Sequence, residues 1–291
     1  MLLLALSILV LLILNLFLGS VSIPFRSIWN ILWGMNDGES IIWQNIVMKS
    51  RVPQALTAMV AGAGLAVSGL QMQTVFRNPL AGPSVLGISS GASLGVAFVI
   101  LLSGSIGGVA LSRLGFVGEL AVTMGAIIGA LSIMALIVYV SQRVRGNVTL
   151  LIIGVMIGYV ASAVIGVLKF FSVEEDVRAY VIWGLGSFAR VSGNKVTLFV
   201  SIMALLLPLS LLLIKTLNLL LLGDDYARNL GLNIKRARML VITCSGVLVA
   251  IVTAYCGPIT FLGLAVPHLC RAIFQTSNHR VLMPASMFAG A

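Results

Sequence analysis

The chain has 291 residues, 59% of them hydrophobic and 9% charged, with a mean hydropathy of +1.12. Soluble domains carry roughly 25% charged residues, so this composition excludes a water-soluble globule. The formal net charge of +10 comes from 18 Lys and Arg scattered singly between apolar blocks, not gathered on one face, and this excludes a nucleic-acid binder.

The apolar blocks run to about 20 residues, the length a helix rising about 1.5 Å per residue needs to cross a hydrocarbon core about 30 Å thick. Eight spans are predicted, at 1–19, 53–72, 84–102, 117–140, 148–168, 196–214, 237–256 and 259–275. Together they predict one all-α domain over 1–291, a polytopic membrane helix bundle. The first block lacks a positively charged leader and reads as an uncleaved span. Two connections on the outer side are long. Ser20 to Val52 carries Trp29, Trp33 and Trp43, and Lys169 to Lys195 carries Glu174, Glu175, Asp176, Tyr180 and Trp183, aromatics suited to the membrane interface. Within the second, 177–188 is predicted as a short surface helix placed to gate a pore.

With a cytoplasmic amino terminus, ten of the 18 basic residues fall on the inner side, among them Arg77, Lys215, Arg228, Arg238 and Arg271. Six of the eight acidic residues fall outside, so the positive-inside rule favours this orientation by a narrow margin. Glycines recur every four residues at Gly87, Gly91 and Gly95, and Gly154, Gly158, Ser162 and Gly166 form a second small-residue stripe. Both predict close helix packing and specify no substrate.

Most candidate chemistry dissolves on inspection. Cys244, Cys256 and Cys270 have no C-x-x-C spacing and read as packing residues, not as a disulfide or zinc framework. Gly87 to Gly91 has the letters of a G-x-S-x-G elbow, with His268 as an imaginable base for an intramembrane hydrolase. That motif needs a strand, a turn and a helix, whereas here it opens an apolar helix. His268 and His279 have no carboxylate or thiol at ligand spacing, so no metal site is expected. The sequence contains no G-x-x-x-x-G-K-[ST], so energy must come from a partner or an ion gradient. An ion-coupled transporter would place an ionisable group inside a span, and Glu119, near an end, is the sole candidate.

Leu222 to Arg238, LGDDYARNLGLNIKRAR, is polar, rich in helix formers and broken by Gly223 and Gly231. It predicts two short helices outside the bilayer on the cytoplasmic side. Taken alone, the stretch fits a basic topology anchor as well as a docking element.

Ser68 to Ala92, SGLQMQTVFRNPLAGPSVLGISSGA, resembles the signature of the FecCD-type permeases, type II ABC importer subunits for iron-siderophore, haem or cobalamin substrates. Gly257 to Arg271, GPITFLGLAVPHLCR, is similar to a later motif of that family, and HRVLMPASMFAGA follows in the expected order. Family members have ten spans, so a chain reaching Ala291 as a ninth begins is expected to lack the last two.

The resemblance implies a multi-pass permease of the bacterial cytoplasmic (inner) membrane that performs no chemistry and binds no cofactor, ATP and Mg being used by a partner ATPase. Its implied partners are a cytoplasmic ABC ATPase dimer, an extracytoplasmic substrate-binding protein and a second permease copy. It also implies that 222–238 docks on the ATPase through Gly223, Asp224, Asp225, Ala227, Arg228 and Gly231, echoing E-A-A-x-x-x-G, from which Tyr226 departs. A pathway along the fifth span would be closed near Leu80, Asn147 and Val148. Arg51 matches a position that meets acidic residues of the binding protein, with a plain interfacial anchor as the alternative reading. An ion-coupled secondary transporter and an intramembrane hydrolase are the competing classes.

Overall fold

Lipid offers no water to backbone N–H and C=O groups, so a spanning segment must satisfy them internally, and helices do so. The computed structural model describes residues 1–35, 40–102, 115–144 and 147–291, and no strand occurs among the described residues. In chain order the helices are α1 (Leu2–Phe17), α2 (Phe25–Leu32), α3 (Ile41–Phe76), α4 (Ile88–Leu102), α5 (Phe116–Arg143), α6 (Asn147–Phe171) and α7 (Glu174–Gly184). They continue with α8 (Asn194–Leu211), α9 (Ile214–Leu221), α10 (Asp224–Asn229), α11 (Ile234–Cys256), α12 (Leu262–Phe274) and α13 (His279–Gly290).

By length and composition α3, α5, α6, α8 and α11 can cross a membrane, while α1, α4 and α12 are shorter apolar helices. The eight predicted spans fall on these eight helices. Alternation of their ends also agrees with the sequence. Asp224 meets both Arg77, after α3, and Arg238 at one end of the bundle, and Glu119 of α5 meets Lys195 of α8 at the other.

Helix α3 is the hub, enclosed by α8, α11, α12 and α13. It is longer than the predicted 53–72, because Pro53 does not start it. A π turn over Val47–Arg51 carries the helix into Pro53. The wider turn relieves the clash a proline ring makes with the carbonyl four residues back, so punctuation that normally marks a boundary is absorbed. The sixth predicted span, 196–214, ends earlier, at Leu211, and the chain restarts as α9, whose Leu217 and Leu220 are buried.

The small-residue stripes lie at helix crossings. A Cβ on Gly95 would sit 2.0 Å from the Gly125 carbonyl oxygen, and one on Gly129 would sit 2.1 Å from that of Gly91, so α4 and α5 touch backbone to backbone. Gly69 of α3 and Gly263 of α12 are closer still, 1.5 Å from Cβ position to carbonyl oxygen. Gly154 of α6 faces the backbone of Val85 and Leu86, in the short turn before α4. Without an aqueous hydrophobic effect between helices, such contacts are where packing energy concentrates.

Gly95→Ala should therefore lower the unfolding free energy by about 1–3 kcal/mol through overpacking. Gly166→Ala, whose Cβ would meet nothing within 4 Å, should be neutral or slightly stabilising. Thermal melting of the two purified variants in the same detergent checks the contrast.

Candidate functional site

The bundle end where α3 finishes gathers charge. Arg77 caps α3 in a left-handed conformation (φ 48°), and its Nη2 donates to the Leu220 carbonyl at 3.2 Å and to Asp224 Oδ1 at 2.6 Å. Arg238, in the second turn of α11, donates to the other carboxylate oxygen, Oδ2, at 2.6 Å. Asp224 opens α10 and so stands at a helix amino terminus, where a negative charge also meets the helix dipole favourably.

One turn back along α3, Thr74 Oγ1 lies 2.7 Å from His279 Nε2, and His279 Nδ1 lies 2.9 Å from Asn218 Oδ1 on α9. The His279 backbone N–H donates to the same Asn218 oxygen at 2.9 Å, and Asn218 Nδ2 donates to Asn278 Oδ1 at 3.0 Å. Asn218 Oδ1 can only accept, so His279 Nδ1 carries a proton, while the single Thr74 hydroxyl proton is shared between His279 Nε2 and the Leu70 carbonyl at 2.8 Å. Helices α3, α9 and α13 are thereby tied together by polar contacts.

The segment 222–238 forms one short helix, not two. Gly223 (φ 107°) and Gly231 (φ 86°) bracket α10, and the chain from Ile234 onward is already the start of α11. Positive φ at both glycines lets the chain turn sharply on either side of six helical residues. Asp225, Tyr226 and Arg228 are exposed, whereas Ala227 is fully buried and seats α10 on the bundle. Asp224 turns inward to its two arginines. Of the six residues expected to dock an ATPase, Ala227 and Asp224 therefore face the permease itself.

The gate candidates are less closely gathered. Leu80 and Val148 are both exposed, at 68% and 71%, in segments on this same end, and the side chain of Asn147 lies outside the described residues.

Arg51 is placed differently from an exposed rim charge. Its residue exposure is 7%, and its guanidinium donates to the carbonyls of Leu16 (2.6 Å), Phe17 (3.3 Å) and Val21. The side chain caps the carbonyl end of α1 and holds α1 and its outgoing loop against α3, so it is a buried anchor and presents no charge to a docking protein.

At the far end, α7 forms as the short surface helix expected, and its Ile182 and Trp183 line a cavity of about 690 Å³ together with Glu119, Arg190, Lys195 and Tyr255. Burial holds the Arg190 guanidinium below its usual range, with Cys256 and Glu119 opposing the shift. Glu119 is exposed and paired with Lys195, which makes it a surface ion pair and not an intramembrane proton relay. The elbow reading also fails on geometry. Gly87 follows a 3-10 turn instead of a strand, and the Ser89 hydroxyl lies 3.5 Å from Thr253 Oγ1. Among the described residues no three His, Cys, Asp or Glu side chains gather to hold a metal ion.

Sequence reasoning missed the roles of Asn218, His279 and Arg238. The available signal for Arg77 was its place in the quoted motif and its assignment to the same side as 222–238.

A bundle of apolar helices, five of them long enough to cross a membrane, with an exposed short helix braced at one end, defines a polytopic membrane protein. The family model of the FecCD transport family matches residues 7–291, and the chain belongs to that family. The hemin transport system permease protein HmuU of Yersinia pestis is 38% identical over 278 residues, 94% of this chain and 78% of the relative. The vitamin B12 import system permease protein BtuC of Klebsiella pneumoniae is 37% identical over 260 residues, 89% of this chain and 73% of the relative. A solved structure described as an inward-facing conformation of a metal-chelate type ABC transporter superposes with a TM-score of 0.82 at 31% identity. It covers 99% of this chain and 85% of the other.

Because Lys puts a single nitrogen where Arg51 uses two, Nη1 on Leu16 and Phe17 and Nη2 on Val21, Arg51→Lys should already loosen the α1 anchor, at a cost of about 1.5–3 kcal/mol for lost charge-assisted bonds. Faster proteolysis within 18–35 of the variant than of wild type is the expected readout.

Proposed function

We propose that this permease imports a metal chelate of the ferric siderophore, haem or cobalamin kind, driven by a cytoplasmic ABC ATPase that grips α10. The single observation carrying the proposal is the form of α10. It is a six-residue helix held outside the spans between two glycines, with Asp225, Tyr226 and Arg228 facing outward and its base fastened to α3 and α11. A helix so mounted passes rigid-body motion of a partner into packed spans that have discrete arrangements. The family membership, the names of the relatives and the likeness to a metal-chelate transporter support the cargo class.

The exposed apolar face of α6, with Ile152, Met156 and Val160, is suited to a second permease copy and to the wall of a pathway between the two. A homodimer with an extracytoplasmic binding protein on the far side completes the proposed importer in the bacterial inner membrane. ATP and Mg are used by the ATPase. Ion-coupled transport has no comparable support, since Glu119 is surface-paired and Asp176, buried at 2% exposure and partnered, lies in α7 outside the spans.

Affinity purification from native membranes should bring down a stoichiometric P-loop ATPase, and Asp225→Arg on the exposed face should reduce its recovery at least tenfold without changing the melting temperature. Uptake that survives ATP depletion would favour secondary transport instead. Cysteines at Asn147 and Val148 should crosslink across the dimer in a nucleotide-dependent way, and nucleotide-independent crosslinking removes the gate from that position.

A further inference from the structure

We propose that Asp224 is a positioning residue, the joint through which movement of α10 is delivered to α3 and α11, and not part of the ATPase-docking face. The inference rests on the reading that α10 is the coupling helix and names the residue that makes the coupling stiff.

The geometry is specific. Each carboxylate oxygen of Asp224 is taken by a different element, Oδ1 by Arg77 at the end of α3 and Oδ2 by Arg238 near the start of α11, both at 2.6 Å. Arg77 also holds the Leu220 carbonyl at the end of α9, so one guanidinium bridges α3, α9 and α10. Arg238 Nε is buried without a hydrogen-bond partner, while its Nη2 reaches Asp224. The carboxylate is 34% exposed, and Arg77 and Arg238 are 41% and 23% exposed.

Partly exposed ion pairs contribute little to stability, so a clamp of this kind is poorly explained as a stabilising device. Its value lies in direction. Two charged bonds diverging from one carboxylate fix both the position and the rotation of the first turn of α10. The glycines on either side would otherwise leave a six-residue helix free to tilt. Asn218, bonded to His279 and through it to Thr74, secures α9 a turn further along α3, so the whole α9–α10 arm is fixed to the end of one central helix. Tilt of α10 under ATPase motion then cannot be absorbed locally and must move α3.

The test uses the full permease with its ATPase in nanodiscs, with spin labels at Asn229→Cys, exposed at the end of α10 and outside the proposed docking set, and Ser84→Cys in the turn before α4. Labelled chains are diluted with unlabelled ones. In the otherwise wild-type chain the distance should stay within its nucleotide-free width when ATP is bound. Asp224→Asn should retain the ATPase yet show a nucleotide-dependent shift in that distance. Arg77→Gln, which leaves the surface of α10 untouched, should reproduce the shift, and Asp224→Glu should restore wild-type behaviour. Identical responses in wild type, Asp224→Asn and Arg77→Gln overturn the inference. So does loss of the ATPase from Asp224→Asn with Arg77→Gln unaltered, since that outcome makes Asp224 a docking residue. Failure of the wild-type permease to retain an ATPase overturns the reading beneath it.

Discussion

Everything in this bundle depends on how closely other helices can approach the backbone of α3. In its most apolar stretch, 78% of the residues are buried inside the protein, an enclosure that leaves lipid little contact with it. Gly62 admits Gly290 of α13, Gly64 admits Met203 of α8, and Gly69 admits the carbonyl of Gly263 on α12. Apolar side chains gain nothing by leaving lipid for other apolar side chains, so the association rests on dispersion at short range and on a few buried polar bonds. The Ser68 and Ser245 hydroxyls, 2.5 Å apart where α3 crosses α11, are one such bond.

A central helix packed in this way is also a transmitter. Close-packed interfaces resist continuous deformation and tend to hold discrete arrangements, so a displacement imposed at one end of α3 is carried along it and not dissipated. Both polar brackets at that end, Thr74 with His279 and Asn218, and Arg77 with Asp224 and Arg238, join α3 to the arm that bears α10. The opposite end of the same helix is held by a different device, the buried Arg51 guanidinium on the carbonyls that close α1.

The peripheral helices are built differently. In the corresponding windows of α5 and α6 only 22% of residues are buried, and their outward faces are apolar. In a membrane such a face is satisfied by lipid or by another transmembrane subunit at similar cost, which suits an assembly whose subunits must shift against each other. Fully buried large side chains come from α11 (Ile242, Leu248) and α13 (Leu282, Met283) as well as from α3, α4 and the turn before it, α8, α9 and Trp183 of α7, whereas α1 buries Leu16 alone.

Hydropathy, by itself, determined that the chain is helical, where its eight apolar helices lie and which connections share a side of the bilayer, because each of those properties is set by about 20 neighbouring residues and the thickness of the membrane. The motif at Ser68 to Ala92 carried the family likeness for the same local reason. What the tertiary structure decided is which faces meet and which charges pair. Arg77 and Asp224 are 147 positions apart, Thr74 and His279 are 205 apart, and no local pattern couples them. Arg51 looks in sequence like a charge offered to a partner, and only the fold shows it spent on carbonyls 30 to 35 residues upstream. Pro53 likewise reads as a boundary until a π turn lets the helix pass through it. Lipid selects helices one at a time, and the pairing of buried polar groups, which lipid cannot solvate, then selects how those helices are arranged.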